Sequence, residues 1–293
     1  MIRIQQGFTI SYDCPQPVPM LLMLSIHPSR EKDLLTPHVI KFEPETQARR
    51  YVDGFGNVCH RIVAPQGPLT ISTLFEIQDS GLADPVVPEA KQMPVDDLPS
   101  GVLVYLLGSR YADTDLLRDT AWSLFGGVEP GWGRVQAICD FTYDRITFGY
   151  EYARPDKTAR NAYDERQGVC RDFAHLALTL CRCMNIPARY CTGYMGDIGI
   201  PAVDAPMDFS GWFEAFLEGP EGPRWYTFDA RHNRQRSARV LMATGRDATD
   251  VALVTSFGPN WLAKFDVIAL EMKEGADPPS LGSVVPDGRQ LVI

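Results

Sequence analysis

The spacing of apolar residues changes period along this chain, and that change limits what it can fold into. Up to about residue 80, short β-favouring runs dominate: IRIQQGFTISYD, PVPMLLMLSIHP, HVIKFEPE, ARRYVDGFGNVCHRIVAP and LTISTLFEIQD, separated by Pro, Gly and Asp. The pair around Asp53-Gly54 reads as a hairpin turn. Runs of this kind predict a small antiparallel β-sandwich over 1–80. GLADPVVPEAKQMPVDDLP, rich in Pro and Asp, reads as a linker over 81–100. Beyond it the period turns helical. Asp113 or Thr114 caps a helix through about Leu124, with Leu116, Leu117, Thr120 and Leu124 along one side. A second helix begins near Glu129 and Pro130 and carries Val135, Ile138, Cys139 and Tyr143 at spacings of three and four. A third runs from Cys170 to about Met184. After Pro187 strand patterns return in ARYCTGYM, GWFEAFL and RWYTFDA, then in TDVALVTSF and WLAKFDVIALEM. Helices followed by strands predict an α+β second domain over 101–275, with a tail over 276–293.

Composition narrows the function classes. The net charge of -9, with no basic cluster, argues against a nucleic-acid surface, which needs clustered Lys and Arg to neutralise phosphates. No apolar run reaches the roughly 20 residues that span a bilayer, and MIRIQQGFTISYD lacks the regions of a signal peptide. The expectation is a soluble, cytoplasmic protein without a membrane partner. Seven cysteines without a framework read as mostly reduced thiols. Cys181 and Cys183 point about 200° apart on a helix, so they do not face one metal ion. No glycine loop of the phosphate-cradling kind follows a strand, and the chemistry considered below needs neither metal nor cofactor. His27, His38 and His60 stand alone and read as structural or solvated.

The chemistry points to Gly168-Val169-Cys170-Arg171-Asp172-Phe173-Ala174-His175-Leu176. Gly168 supplies a turn, the apolar period starts at Val169, and Cys170 falls in the first turn of a helix. Unpaired backbone N–H groups and the dipole there favour a thiolate and can donate to an oxyanion. The competing reading is one more small buried residue.

The segment GVCRDFAHLALTLCRCMNIPARYCTGY resembles the core motif of the bacterial transglutaminase-like superfamily, with Asn185 where that motif has Gly. Downstream, GWFEAFLEGPEGPRWYTFDARHN resembles the family's paired strands with their Trp-x-Glu and Phe-Asp segments. The resemblance is strong over about 160–260. It implies a papain-like layout behind an N-terminal β-sandwich: Cys170 as nucleophile, Asp229 as the acid that orients an imidazole, and a peptide or protein as substrate. The histidine should stand two residues before Trp212, and that residue is Ser210.

A serine hydroxyl is unionised near neutral pH and neither activates a thiol nor protonates a leaving amine. Candidate replacements are His232, three residues after Asp229; His175, about 140° around the helix from Cys170; and Asp208 or Asp229 acting on Cys170 alone. Trp212 and Asp208 are candidates for a substrate groove, although packing is the simpler role for a sheet aromatic. Two functions follow. One is thiol acyl chemistry on a peptide or amide through a Cys170 thioester, by hydrolysis or transfer to an amine. The other is a pseudoenzyme whose cleft binds a peptide or protein partner. The residues leave oligomeric state open.

Overall fold

In the computed structural model, which describes residues 1–201 and 207–272, the alternating runs become strands that bury every second side chain. The first region comprises β1 (Ile2–Cys14), β2 (Val18–Leu22), β3 (Lys41–Glu43), β4 (Arg49–Val52), β5 (Val58–Ala64) and β6 (Gly67–Asp79). Along β6, Leu69, Ile71, Thr73, Phe75 and Ile77 face inward. The hairpin between β4 and β5 forms as expected, because the Asp53 carboxylate accepts the backbone N–H groups of Phe55 and Asn57 at 2.8 and 2.9 Å.

The helical period gives α1 (Thr114–Phe125) and α2 (Trp132–Arg145). The inward side of α1 is Leu117, Ala121 and Phe125, while Leu116 and Leu124 are exposed. The stripe is therefore rotated from the expected one, since residues four apart stack on a single side. Tyr143 of α2 is likewise exposed, and Thr142 takes its place inside. Two short parallel strands, β7 (Thr147–Phe148) and β8 (Gln167–Gly168), bracket α3 (Ala159–Glu165) and deliver the chain to α4 (Cys170–Cys183). From Asp172 onward, every residue of α4 is buried. One side of α4 packs on an antiparallel sheet of β9 (Ala188–Tyr194), β10 (Ser210–Gly219), β11 (Gly222–Phe228) and β12 (Val240–Gly245), ordered β11-β10-β9-β12.

The last two strands, β13 (Val254–Ser256) and β14 (Trp261–Glu271), fall within the 101–275 span that the sequence gives to the second domain. They pair instead with β2 and β1, completing sheets ordered β14-β1-β6-β3 and β13-β2-β5-β4. The physical reason is the edge of β1. Its thirteen residues pair with β6 on one side, and β14 closes the other. Local periodicity identifies a strand but not its partner. The expected tail over 276–293 lies outside the described residues.

A second junction lies in the core. Phe8, Phe75 and Ile10 of the sandwich share one apolar cluster with Tyr194, Phe209 and Val240. The ring of Phe209 sits 5.0 Å from Tyr194, 6.1 Å from Phe8 and 5.9 Å from Phe265, so both regions grip it. The fold is α+β, and no described helix is long and apolar enough to cross a membrane.

Candidate active site

Cys170 opens α4, and the turn before it explains why the chain enters there. Asp172 accepts the Val169 N–H at 2.9 Å, an acid in the first turn reaching back to cap the helix. Gly168 leaves room for that carboxylate, since a Cβ at this position would come within 2.6 Å of its Oδ2. Cys170 is half-buried, at the wall of a cleft of about 290 Å³ shared with Asp208, Tyr190, Gly211 and Tyr150.

The helix start does not ionise this thiol. Burial, and after it the charge of Asp208, push Cys170 up to about 11, and Asp172 adds to the rise. The backbone N–H of Gly211 and the charge of Arg231 pull the other way and lose. A helix terminus offers about 0.3–1 kcal/mol to a charge, which is too little to offset desolvation beside a carboxylate. The thiolate expected from sequence is thus a resting thiol.

Asp208 is the acid closest in character to this site. Burial pushes its carboxyl up to about 6, despite the Phe209 N–H donated to its Oδ1 at 2.7 Å. Phe209, locked between the two regions, fixes where Asp208 stands.

Asp229 has other company. Its Oδ2 accepts from His232 Nδ1 at 2.9 Å and from Arg239 at 2.7 Å, and its Oδ1 accepts the backbone N–H groups of Arg231 and His232. Burial alone would raise this carboxyl, but the His232 bond and the Arg239 charge hold it well below the usual range. It lines a separate crevice with Trp132, Gln136 and Asn233. Burial lowers His232, and Asp229 only partly restores it.

The remaining candidates divide clearly. Ser210 pairs with Gly193, and its carbonyl accepts the Thr192 hydroxyl at 3.2 Å. Gly211 lines the cleft and Ser210 does not, and no histidine lines it among the described residues. His175 is sealed, stacked on Tyr111, with its Nε2 accepting the Ala248 N–H at 3.1 Å. Burial drives it down to about 3, so it serves the packing. Trp212 is not part of a groove: it is 2% exposed, with the Arg239 guanidinium 5.1 Å above its ring. Its strand neighbour Glu214 is paired with Arg189 at 2.6 Å. The structure adds Tyr190, Tyr150 and Gly211 to the site, which sequence reasoning missed. A glycine set into the β-favouring run SGWFEAF was the one available signal. No cluster of three or more His, Cys, Asp or Glu that could hold a metal occurs among the described residues.

Residues 118–230 match the model of the transglutaminase-like superfamily. The fold is similar to that of a Cytophaga hutchinsonii protein proposed to be a cysteine protease, with TM-score 0.79 and 27% identity, over 94% of this chain and 93% of that one. The chain is also 24% identical over 225 residues to the uncharacterized protein ML0607 of Mycobacterium leprae, spanning 71% of this chain and 75% of that one. With Rv2569c of Mycobacterium tuberculosis it shares 26% identity over 147 residues, 46% of that protein's length.

Proposed function

The second region carries a transglutaminase-like core, a fold of thiol-dependent acyl chemistry, and from that premise we propose that Cys170 accepts an acyl group from a peptide or protein amide while Asp208 moves the proton. The observation that carries this reading is the opening of both side chains onto one cleft that no described histidine lines. A carboxyl near 6 is ionised at neutral pH and close enough to neutrality to take a proton and return it. Asp208 accepts the thiol proton as sulfur attacks the acyl carbon. The protonated carboxyl then delivers it to the departing amine as the carbon–nitrogen bond breaks. Water or an amine opens the thioester by the same route, giving hydrolysis or transfer.

Burial, and after it the charge of Asp208, keep the thiol protonated at rest, so the thiolate beside a protonated acid lies above the resting pair in free energy. That gap ranks donors with good leaving groups, esters and thioesters, ahead of amides. Asp229 in this reading orients a turn rather than a base. By gathering the N–H groups of Arg231 and His232, it places the Arg231 charge that favours the Cys170 thiolate. Seven free thiols support a reducing, cytoplasmic setting.

The test uses p-nitrophenyl acetate with the full chain. Wild type should release p-nitrophenol in a burst and carry an acetyl group on Cys170 by mass spectrometry. Asp208→Asn should slow acylation by about 10²–10³-fold, and His232→Ala by less than about tenfold. The reverse ranking would move the proton to the Asp229–His232 pair. No adduct in wild type would leave the second reading, a binding cleft without turnover, which Ser210 at the usual histidine position motivates.

A further inference from the structure

Several residues that line the cleft carry hydroxyls, Tyr150, Tyr190 and Thr192 among them, and the reaction above uses none of them. Tyr190 on β9 is 4% exposed and lines the cleft with Cys170. Its ring is fixed against His175, centroids 5.0 Å apart, and His175 is itself held by the Ala248 N–H. The hydroxyls of Tyr194 and Tyr226 are sealed without a partner among the described residues, but that of Tyr190 belongs to a side chain on the open wall.

Its position is set by Gly211. A Cβ at Gly211 would come within 2.3 Å of the Tyr190 hydroxyl oxygen, so only glycine leaves room for it. The same residue lines the cleft with Cys170, and its N–H favours the thiolate. Hydroxyl and thiol therefore belong to one stretch of wall, with Gly211 shared between them. Burial, and next to it the charge of Cys170, keep the phenol protonated far above its ordinary range, so it stays a donor.

We infer that Tyr190 is a catalytic residue, its O–H donating to the oxygen of the acyl group as Cys170 attacks. This rests on the thioester reading above. When sulfur bonds to the acyl carbon, the carbonyl π pair moves onto oxygen, and the oxyanion accepts the Tyr190 hydroxyl. The backbone N–H of Cys170, in the first turn and without an intrahelical acceptor, is the second donor. As the carbon–leaving-group bond breaks, the pair returns to the carbonyl, and Tyr190 keeps its proton throughout.

The experiment compares two reactions of one sulfur. Hydrolysis of p-nitrophenyl acetate builds an oxyanion, while alkylation by iodoacetamide displaces iodide at a saturated carbon and builds none. Tyr190→Phe should lower kcat for the ester by about 10²–10³-fold, with KM and the alkylation rate of Cys170 within about twofold. Gly211→Ala, whose methyl group displaces the hydroxyl, should lower kcat in the same direction. Unchanged turnover in Tyr190→Phe overturns the inference. So does a parallel fall in alkylation, which would mean that the ring only holds the sulfur in place. A wild-type chain that forms no acetyl adduct sinks the thioester reading itself, and this inference with it.

Discussion

The cleft beside Cys170 and the crevice beside Asp229 each hold a carboxylate, one just before β10 and one just after β11, and their surroundings drive them in opposite directions. Asp208 has one backbone N–H and, among the described residues, no cation bonded to it, and burial lifts it to about 6. Asp229 has an imidazole, a guanidinium and two backbone N–H groups, and it stays ionised far into acid. A group that never changes its proton near neutral pH organises structure, and one poised near 6 can exchange it. Motif position assigned the catalytic role to Asp229. The surroundings favour Asp208.

The comparison breaks most visibly at Arg239. Its side chain joins Asp229 at 2.7 Å and Asp84 at 2.9 Å, all three largely removed from water. Arg239→Met strands buried charge and should lower stability by about 3–5 kcal/mol, read as a shift in the urea midpoint at pH 7. A change under about 1 kcal/mol would mean that Asp229 is not held by this pair. His232→Ala removes one bond to a charged acceptor and should lower stability by about 1.5–3 kcal/mol. Its acid profile should also flatten. The folded-state carboxyl of Asp229 lies below its unfolded value of about 3.9, so its stabilisation is present above that pH and is lost as pH falls towards the folded value. Urea midpoints between pH 5 and 2 should therefore fall less steeply in the variant.

The smallest effect has the opposite sign. Asp208 is raised on folding, so its contribution is fully present below about 3.9 and is lost as pH climbs through about 6. Asp208→Asn should stabilise the chain by about 1–2 kcal/mol at pH 8 and leave it unchanged at pH 4. The figure is set below the full shift because the side chain is half-buried and partly screened. Equal midpoints for wild type and variant at pH 8 would place Asp208 in ordinary solvent and dissolve the contrast with Asp229.

Much of this was legible in the residues. Gly168, Cys170 and the apolar period after them locate the start of α4, and the Phe228-Asp229 pair marks the end of β11, because both signals are local. The turn at Asp53 was readable for the same reason. What escaped depends on contacts between distant segments. Whether Asp208 faces the sulfur depends on Phe209 docking between Phe8 and Tyr194, from two different regions. The raised thiol depends on desolvation, which a helical position alone does not reveal. Tyr190 looked like any strand aromatic until Gly211 was brought against it across the sheet. Ser210, the departure that weakened the motif reading, lies outside the cleft lining, whereas its neighbour Gly211 lies within it.

The pairing of β14 with β1 sets a rule for anyone recombining such chains. Exchanging the first 80 residues for those of a relative would leave a foreign strand facing 261–271, although nearly two hundred positions separate the two cut ends. A viable chimera has to carry 254–271 along with the opening segment, as a pair of inserts rather than one.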